Sequence, residues 1–420
     1  MHILFIIQGW QPESIFKGMP FAKELQKLGH TIEVLTGYPY YPQGKLYPGY
    51  RIRLLQRETM DGVSVLRVPL YPSHDRSAIR RMATYFSYAF SASAIGPWVV
   101  KRADVAYVYQ PPATVGLPAC ALRLLRGIPF VYDIQDLWPD TLMATGMFNS
   151  RFGIKMVDMY CRGVYRLADK ITVLSPGFKQ VLCSRGVPPE KIEVIYNWSD
   201  DTAVYPVERN EQEAARLGLS GRFNIIFAGN MGKAQALGAV LKAAKIVAGR
   251  FPKVQFVFAG GGVEVDALKR EAGEMSLSNT LFLPWRPREE VNQLLSLADV
   301  LLVHLKDSPL FRITIPSKIQ AYMAVERPIL VGVAGDAAEL VAKAQAGLVC
   351  RSEDPESIAQ TVCKMVSMPP EKLREMGKNG RKYYEQELSL AIGARKFDKI
   401  FSAVVNKSAR TSLDNRKQII

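Results

Sequence analysis

Histidine is scarce in this chain of 420 residues, with four in all, and cysteine counts only five, at positions 120, 161, 183, 350 and 363. The cysteines are odd in number and scattered, and no Cys-x-x-Cys pair occurs, so neither a disulfide framework nor a structural zinc cage is expected. Such usage suits a reducing cytoplasm. No Asp-x-Asp tripeptide occurs either, which leaves a metal held by that pair unsupported. Walker A and Gly-x-Gly-x-x-Gly are also missing, which disfavours a P-loop kinase or an ordinary dinucleotide site. The apolar start Met1–Ile7 is too short for a secretory signal, with no basic n-region and no small-residue cleavage site. It reads instead as a buried parallel strand that soon meets Gly9 and Pro12.

What is present is ordinary globular composition. Hydrophobic residues make up 48% and charged residues 22%, which excludes disordered and fibrous classes. Lys and Arg total 54 against 39 Asp and Glu, a net +15. That excess suits an acidic partner: nucleic acid, a phosphate-rich substrate or an anionic membrane. RNA binding would rest on charge alone, without RNP-like aromatic runs, so no nucleic acid is expected as partner. At about 150 residues per domain, the length suggests two or three domains.

One stretch raises the membrane directly. From Met82 to Val100 there is no charged residue, between Arg80-Arg81 and Lys101-Arg102. A spanning helix needs about 20 mostly apolar residues, and here three Ser, one Thr and Gly96-Pro97 intervene. A buried core helix and a helix lying in the interface both stand open, with spanning last. Residues 45–102 hold ten Lys/Arg against three Asp/Glu, which favours contact with anionic headgroups.

Continuous apolar runs alternate with helical patterns along the chain. In the first half the runs are Ile3–Ile7, Ile32–Leu35, Val63–Val68, Val105–Tyr109, Phe130–Tyr132, Lys170–Leu174 and Ile192–Ile195. In the second they are Asn224–Ala228, Gln255–Ala259, Thr280–Leu283, Val300–His304, Pro328–Val333 and Gly347–Cys350. Helices are predicted at Met19–Leu28, Leu237–Ala248, Val265–Ala272, Arg288–Leu297, Ser317–Ala324 and Pro355–Ser367, with Gly29 and Gly249 as C-caps. Alternation of this kind implies parallel sheets flanked by helices. A break near Asn197–Arg222, marked by Pro206 and Gly218–Gly221, divides the chain into two Rossmann-like α/β domains facing a cleft.

Ligands in such sheets bind beyond the carboxyl ends of the strands, so the loops after each run carry the candidates. Ala228-Gly229-Asn230-Met231-Gly232-Lys233 follows a strand and opens a helix; glycines for close approach, a helix N-terminus and a lysine suit a diphosphate. A tight turn with a solvated lysine is the plainer alternative. Ser317 is placed to N-cap the helix after Pro316, leaving amides at Ser317 and Lys318 available; a capped structural helix remains the alternative. In the first half the loop Gln8–Phe21 brings Glu13, Lys17 and Gly18 after the first strand. Asp133, Gln135, Asp136 and Asp140 follow another, as helix caps or as an active-site edge. Trp285 and Arg286 end a third, as core or as cover for a ring.

The segments FKGMPFAKELQKLGHTIEVLTGYPYYPQGKLYPGY, YDIQDLWPDTL, FAGNMGKAQAL and IPSKIQAYMA resemble bacterial retaining glycosyltransferases of the GT-B fold, family 4-like. Within that group they are similar to the subgroup that transfers L-fucosamine (N-acetylfucosamine) in O-antigen assembly, and the likeness covers residues 1 to about 400. It implies an acceptor domain at 1–200, a UDP-sugar domain at 210–385, a final helix around 388–407 returning to the first domain, and a basic tail at 408–420. It further implies a UDP-sugar as co-substrate with no cofactor or metal, a lipid-linked glycan acceptor, and peripheral attachment to the inner face of the plasma membrane. Donor contacts then fall on Gly229, Asn230, Gly232, Gln235, Trp285, Arg286, Ser317, Lys318 and Gln320, and acceptor contacts on Glu13, Lys17 and Gly18. Lys233, Asp136 and Gln135 take the catalytic positions.

The chain departs from the family pattern at several of these places. The Glu-x7-Glu pair falls on Ile313 and Ala321; Gln320 is the nearest polar replacement for the ribose contact. The usual Arg and Lys after the glycine turn fall on Asn230 and Gln235, leaving Lys233 as the cation, and the frequent His of the first domain falls on Gln135. Without the second carboxylate, same-face attack is expected, the leaving phosphate accepting the acceptor's proton. A non-catalytic, basic membrane scaffold derived from such a transferase is the rival expectation.

Overall fold

The computed structural model describes residues 1–74, 77–144 and 150–417. Arg76, counted in the basic excess, and the last three residues of the expected tail lie outside the described residues. Two compact units form: Met1–Leu174 with Phe178–Ile195 and the residues from Ala394 on, and Ser175–Gly177 with Tyr196–Gly393. The five cysteines are free thiols.

Among its described residues the first unit holds eight strands: β1 (His2–Ile6), β2 (Thr31–Gly37), β3 (Gln56–Met60), β4 (Val63–Val68), β5 (Val105–Gln110), β6 (Phe130–Ile134), β7 (Lys170–Val173) and β8 (Ile192–Val194). Their order across the sheet is β3-β4-β2-β1-β5-β6-β7-β8. All neighbours are parallel except β3 and β4. The apolar runs become the inner strands because a parallel sheet covered on both faces buries every position; Ile3, Leu4, Phe5 and Ile6 have no exposed surface. The strand β3, QRETM, was not among the predicted runs. It is a polar edge strand, and its cue was Asp61-Gly62, whose φ angles of 48° and 79° form the two-residue hairpin turn that only such residues favour.

Helix Ala78–Val99 covers the uncharged stretch. Thr84, Tyr88, Ala89, Ala92, Gly96 and Pro97 are buried, and the Tyr88 hydroxyl donates to the Leu35 carbonyl at 2.9 Å. It is a core helix along one face, and among the described residues no helix is long and apolar enough to cross a membrane. The last helix, Leu390–Lys417, runs ten residues past the expected end, so there is no separate tail from 408. Its Phe397 and Phe401 are fully buried and pack on Tyr107, and Phe397 also meets Phe21. Each buried aromatic of this kind contributes about 1.5–3 kcal/mol.

The second unit has six parallel strands: β9 (Phe223–Ala228), β10 (Val254–Ala259), β11 (Thr280–Leu283), β12 (Val300–His304), β13 (Ile329–Gly332) and β14 (Gly347–Val349), ordered β11-β10-β9-β12-β13-β14. Helices Leu237–Ala248 and Ser317–Ala324 have the predicted bounds. Two local expectations change. The glycine turn after β9 does not open a helix directly: a 3-10 turn, Lys233–Gln235, and Ala236 at φ 47° intervene. Nor does Ser317 cap its helix; Pro316 takes that position at φ −60°, ψ 134°, and Ser317 is the first helical residue. Proline needs no hydrogen-bond partner for its nitrogen there, so the serine side chain is released from capping.

Candidate functional site

The carboxyl ends of β9 and β10 carry two glycine turns pressed together. The Gly229 amide donates to the Ala259 carbonyl at 2.8 Å and the Met231 amide to the Gly261 carbonyl at 2.7 Å. A Cβ on Gly260, at φ 138°, would lie 2.1 Å from the Gly229 carbonyl oxygen. No other residue fits that position. The Ala228 amide donates to the Tyr322 hydroxyl at 3.1 Å, which ties the turn to helix Ser317–Ala324. The first amides of that helix, at Ser317 and Lys318, lie outside intrahelical bonding by the geometry of a helix start.

Lys318 runs from this helix back under the turn. Its Nζ lies 3.5 Å over the Phe227 ring, and a Cβ on Gly229 would meet it at 3.0 Å. Among the described residues no hydrogen-bond partner reaches this buried ammonium. Burial lowers its pKa from the ordinary lysine value to about 7, because an unpaired charge away from water favours its neutral form. An anion brought to the turn would find a cation already in place and poorly solvated.

The neighbouring candidates are disposed differently. Lys233 is exposed on its 3-10 turn, as is Asn230 beside it. Gln235 turns inward, its Oε1 accepting the Gly232 amide at 2.9 Å, so that amide is already occupied. The Gln235 carbonyl meets His304 Nδ1 at 2.7 Å, while His304 Nε2 accepts the Glu353 amide at 3.1 Å. With both nitrogens so engaged, and burial lowering its pKa, His304 is a neutral brace. Gln320 is buried, and its amide nitrogen donates to the carbonyls of Pro316 and Ser317 at 2.9 and 3.2 Å once the amide is oriented by its neighbours. It steadies the helix start from within, which displaces the expected role at a ribose. Arg286 is held by Glu213 at 3.1 Å and Glu290 at 3.5 Å, whereas Trp285 is 70% exposed. At Ile313, where the resemblance would have a carboxylate, the contacts are backbone and apolar: its carbonyl accepts from Ser175 at 2.6 Å, and its side chain lies against Gly177.

In the first unit the three acceptor candidates are built into the fold. Lys17 is wholly buried and paired with Asp133 at 2.8 Å. Asp133 also accepts from Tyr107 at 2.7 Å and from Thr172 at 2.7 Å, so the pair is closed by hydrogen bonds. Lys17 thus has an internal partner rather than a surface to offer. Glu13, also buried, accepts the Tyr40 and Tyr41 amides at 2.7 and 2.6 Å and shapes the loop after β2. Burial nevertheless raises its carboxyl pKa. Gly18 caps helix Met19–Lys27.

Gln135 and Asp136 stand beyond β6. Gln110 clamps them: its Oε1 accepts both their amides, at 2.8 and 3.0 Å, and its Nε2 donates to the Asp136 carbonyl at 2.8 Å. Burial raises the Asp136 carboxyl pKa, and Tyr85 and Tyr109 lie close enough to feel its charge. Asp140, the third carboxylate of the run, pairs with Arg185 at 2.5 Å. The sequence reading missed Gln110 and the Lys17–Asp133 pair. Gln110 ends an apolar run as an isolated amide, a usable cue; nothing local joins Lys17 to a partner 116 residues away.

Residues 19–198 match the glycosyl transferase 4-like domain family, and residues 209–383 the glycosyl transferases group 1 family. Two relatives align over 71% of this chain and 74% of their own length: a Pseudomonas aeruginosa protein named as glycosyltransferase WbjE, at 25% identity, and an Escherichia coli protein named for colanic acid biosynthesis, the glycosyl transferase WcaI, at 27%. The solved structure of Anabaena HepE in complex with UDP-glucose superposes with a TM-score of 0.65 at 14% identity, covering 96% of this chain and 100% of that one.

Proposed function

We propose that this chain, a GT-B glycosyltransferase whose halves are a glycosyl transferase 4-like and a group 1 domain, moves a sugar from a UDP-sugar to a lipid-linked glycan. The sugar is an N-acetylated deoxyhexosamine, and the product belongs to a surface polysaccharide of the O-antigen kind. WcaI, named for colanic acid biosynthesis, and HepE, described with UDP-glucose, support that direction.

The observation that carries the proposal is the buried ammonium of Lys318 beneath the glycine turn, which has no hydrogen-bond partner among the described residues. Breaking a sugar–phosphate bond builds negative charge on the departing diphosphate. Lys318, the exposed Lys233 and the first amides of helix Ser317–Ala324 stabilise that charge, and the helix dipole adds to it. No metal is needed for this step: Lys233 carries a charge, and Lys318, whose pKa burial lowers to about 7, takes up its proton as the diphosphate binds. With Ile313 and Ala321 in place of two carboxylates, the reaction proceeds with retention by same-face attack, and the leaving phosphate takes the acceptor's proton. Gln135 and Asp136, clamped by Gln110, present the acceptor from the first unit, at the inner face of the membrane.

The test is a thermal shift of the purified protein with UDP and a panel of UDP-sugars, followed by transfer assays on the best donor. Ligand at a hundredfold its Kd stabilises by about 2.7 kcal/mol. No shift with UDP at saturating concentration would overturn the donor assignment. A shift with UDP-sugars but no hydrolysis or transfer would instead favour the scaffold reading, which the apolar packing at Ile313 supports.

A further inference from the structure

Helix Ala78–Val99, uncharged beyond Arg81, turns an apolar face outward. Ile79, Ala83, Phe86, Phe90, Ala94 and Trp98 are exposed and follow one another at three or four residues, so they form one stripe along the helix. Trp98 is 83% exposed and Phe90 67%, and the Phe86 and Phe90 rings adjoin at 6.3 Å. Two later helices continue the pattern. Gly116–Arg126 packs beside Ala78–Val99, with Arg126 donating to the Pro97 carbonyl, and presents Leu124 and Leu125. Arg151–Leu167 packs beside that one and exposes Phe152, Met156 and Met159, again one stripe.

The charge on the same three helices is mostly positive, although Arg123 is paired with Asp169 at 3.0 Å. They carry Arg80, Arg81, Arg123, Arg126, Arg151, Lys155, Arg162 and Arg166 against Asp158 alone, and Asp158 is paired with Arg162 at 2.7 Å. Lys101 and Arg102, both exposed, extend the fringe. Large exposed apolar patches rimmed by polar residues mark interaction sites. A second copy of this chain is a poor occupant, because a symmetric contact would set this basic fringe against itself. An anionic bilayer fits both features.

We propose that these three helices form a membrane-docking face. Phe86, Phe90, Trp98, Leu124 and Phe152 enter the boundary between headgroups and acyl chains, and the exposed Arg80, Lys101, Arg102, Arg151 and Lys155 hold anionic headgroups. This deepens the reading of a lipid-linked acceptor and rests on it for its purpose, though docking itself requires no turnover. The attachment differs from one made by charge alone. Charge is screened beyond a Debye length of roughly 8 Å in physiological salt, whereas inserted rings hold on through added salt.

The experiment uses the full chain and vesicles of phosphatidylglycerol mixed with phosphatidylcholine, with pure phosphatidylcholine vesicles as the second arm. The wild type is expected to sediment with the anionic vesicles, retaining part of its binding in high salt. Phe90→Ser with Trp98→Ser should weaken binding by about tenfold or more, because binding scales with apolar area buried. The UDP thermal shift should be unchanged, which separates a docking failure from a failure of the transferase reading. Arg80→Glu with Lys101→Glu and Arg102→Glu should lose only the preference for anionic vesicles. Wild-type protein that ignores anionic vesicles, or a Phe90/Trp98 variant that sediments like the wild type, would overturn the proposal. So would a wild-type dimer that the same two substitutions dissociate, since the face would then be a contact between copies.

Discussion

Lys17 in the first unit and Lys318 in the second are both withdrawn from water, yet only Lys17 faces a carboxylate, Asp133 at 2.8 Å. Tyr107 and Thr172 close the remaining hydrogen bonds of that carboxylate. Lys318 has a ring beneath it and a glycine turn above it, and no hydrogen-bond partner among the described residues. Burial lowers both lysine pKa values, but at Lys17 the Asp133 charge opposes the shift, and at Lys318 burial is the one cause. The same residue type therefore does two jobs. A paired buried lysine joins β6 to the loop after β1; under the proposed function, the other is held for an anion that arrives later.

The largest effect should come from breaking the closed pair. Asp133→Ala strands the Lys17 charge and should destabilise the first unit by about 3–5 kcal/mol, measured by urea unfolding. A change under about 1 kcal/mol, the usual worth of an exposed pair, would show that the pair is not buried in solution. Lys318→Met should do the reverse. Turnover should fall by about a hundredfold, the usual loss for one charge-stabilising donor, without loss of stability.

The sign of the stability change follows from proton counting. Between about 7 and the ordinary lysine value of 10.5, the folded chain has released a proton that the unfolded chain still holds. Wild-type stability therefore climbs as pH rises through that window. The methionine variant lacks the climb and should be no less stable than the wild type near neutral pH; thermal unfolding across pH checks this. A variant that melts earlier at every pH would assign Lys318 a structural role like that of Lys17.

Two smaller effects sharpen the contrast. A bound diphosphate keeps Lys318 protonated, so UDP affinity should fall above pH 7 by up to about tenfold per unit, in titrations at constant ionic strength. Affinity that is flat from neutral to alkaline pH would contradict the lysine–diphosphate contact. Lys233→Ala, on an exposed turn, should lower turnover by about tenfold. A loss there larger than for Lys318→Met would reverse the ranking of the two cations.

How much of this could be seen in the residues depends on range. Continuous runs such as Ile3–Ile7 and Val300–His304 declared their strands because strands buried on both faces carry few polar residues. The edge strand β3 escaped because its exposed face is polar, although Asp61-Gly62 announced its turn. The Gly229 turn was legible as a candidate diphosphate loop, but the lysine that lies beneath it was not. Lys233 is adjacent in sequence and points to solvent; Lys318 arrives from a helix ninety residues later and lies beneath the turn. Likewise the uncharged stretch Met82–Val100 announced apolarity without saying which face of its helix looked outward.

Proton uptake on UDP binding tests the central claim most directly. Calorimetric titrations at about pH 8, in buffers of different ionisation heat, count the protons taken up per UDP bound. With Lys318 free at about 7, the account predicts uptake approaching one proton in the wild type and none from this source in Lys318→Met. Equal uptake in the two proteins, or none in the wild type, would contradict it.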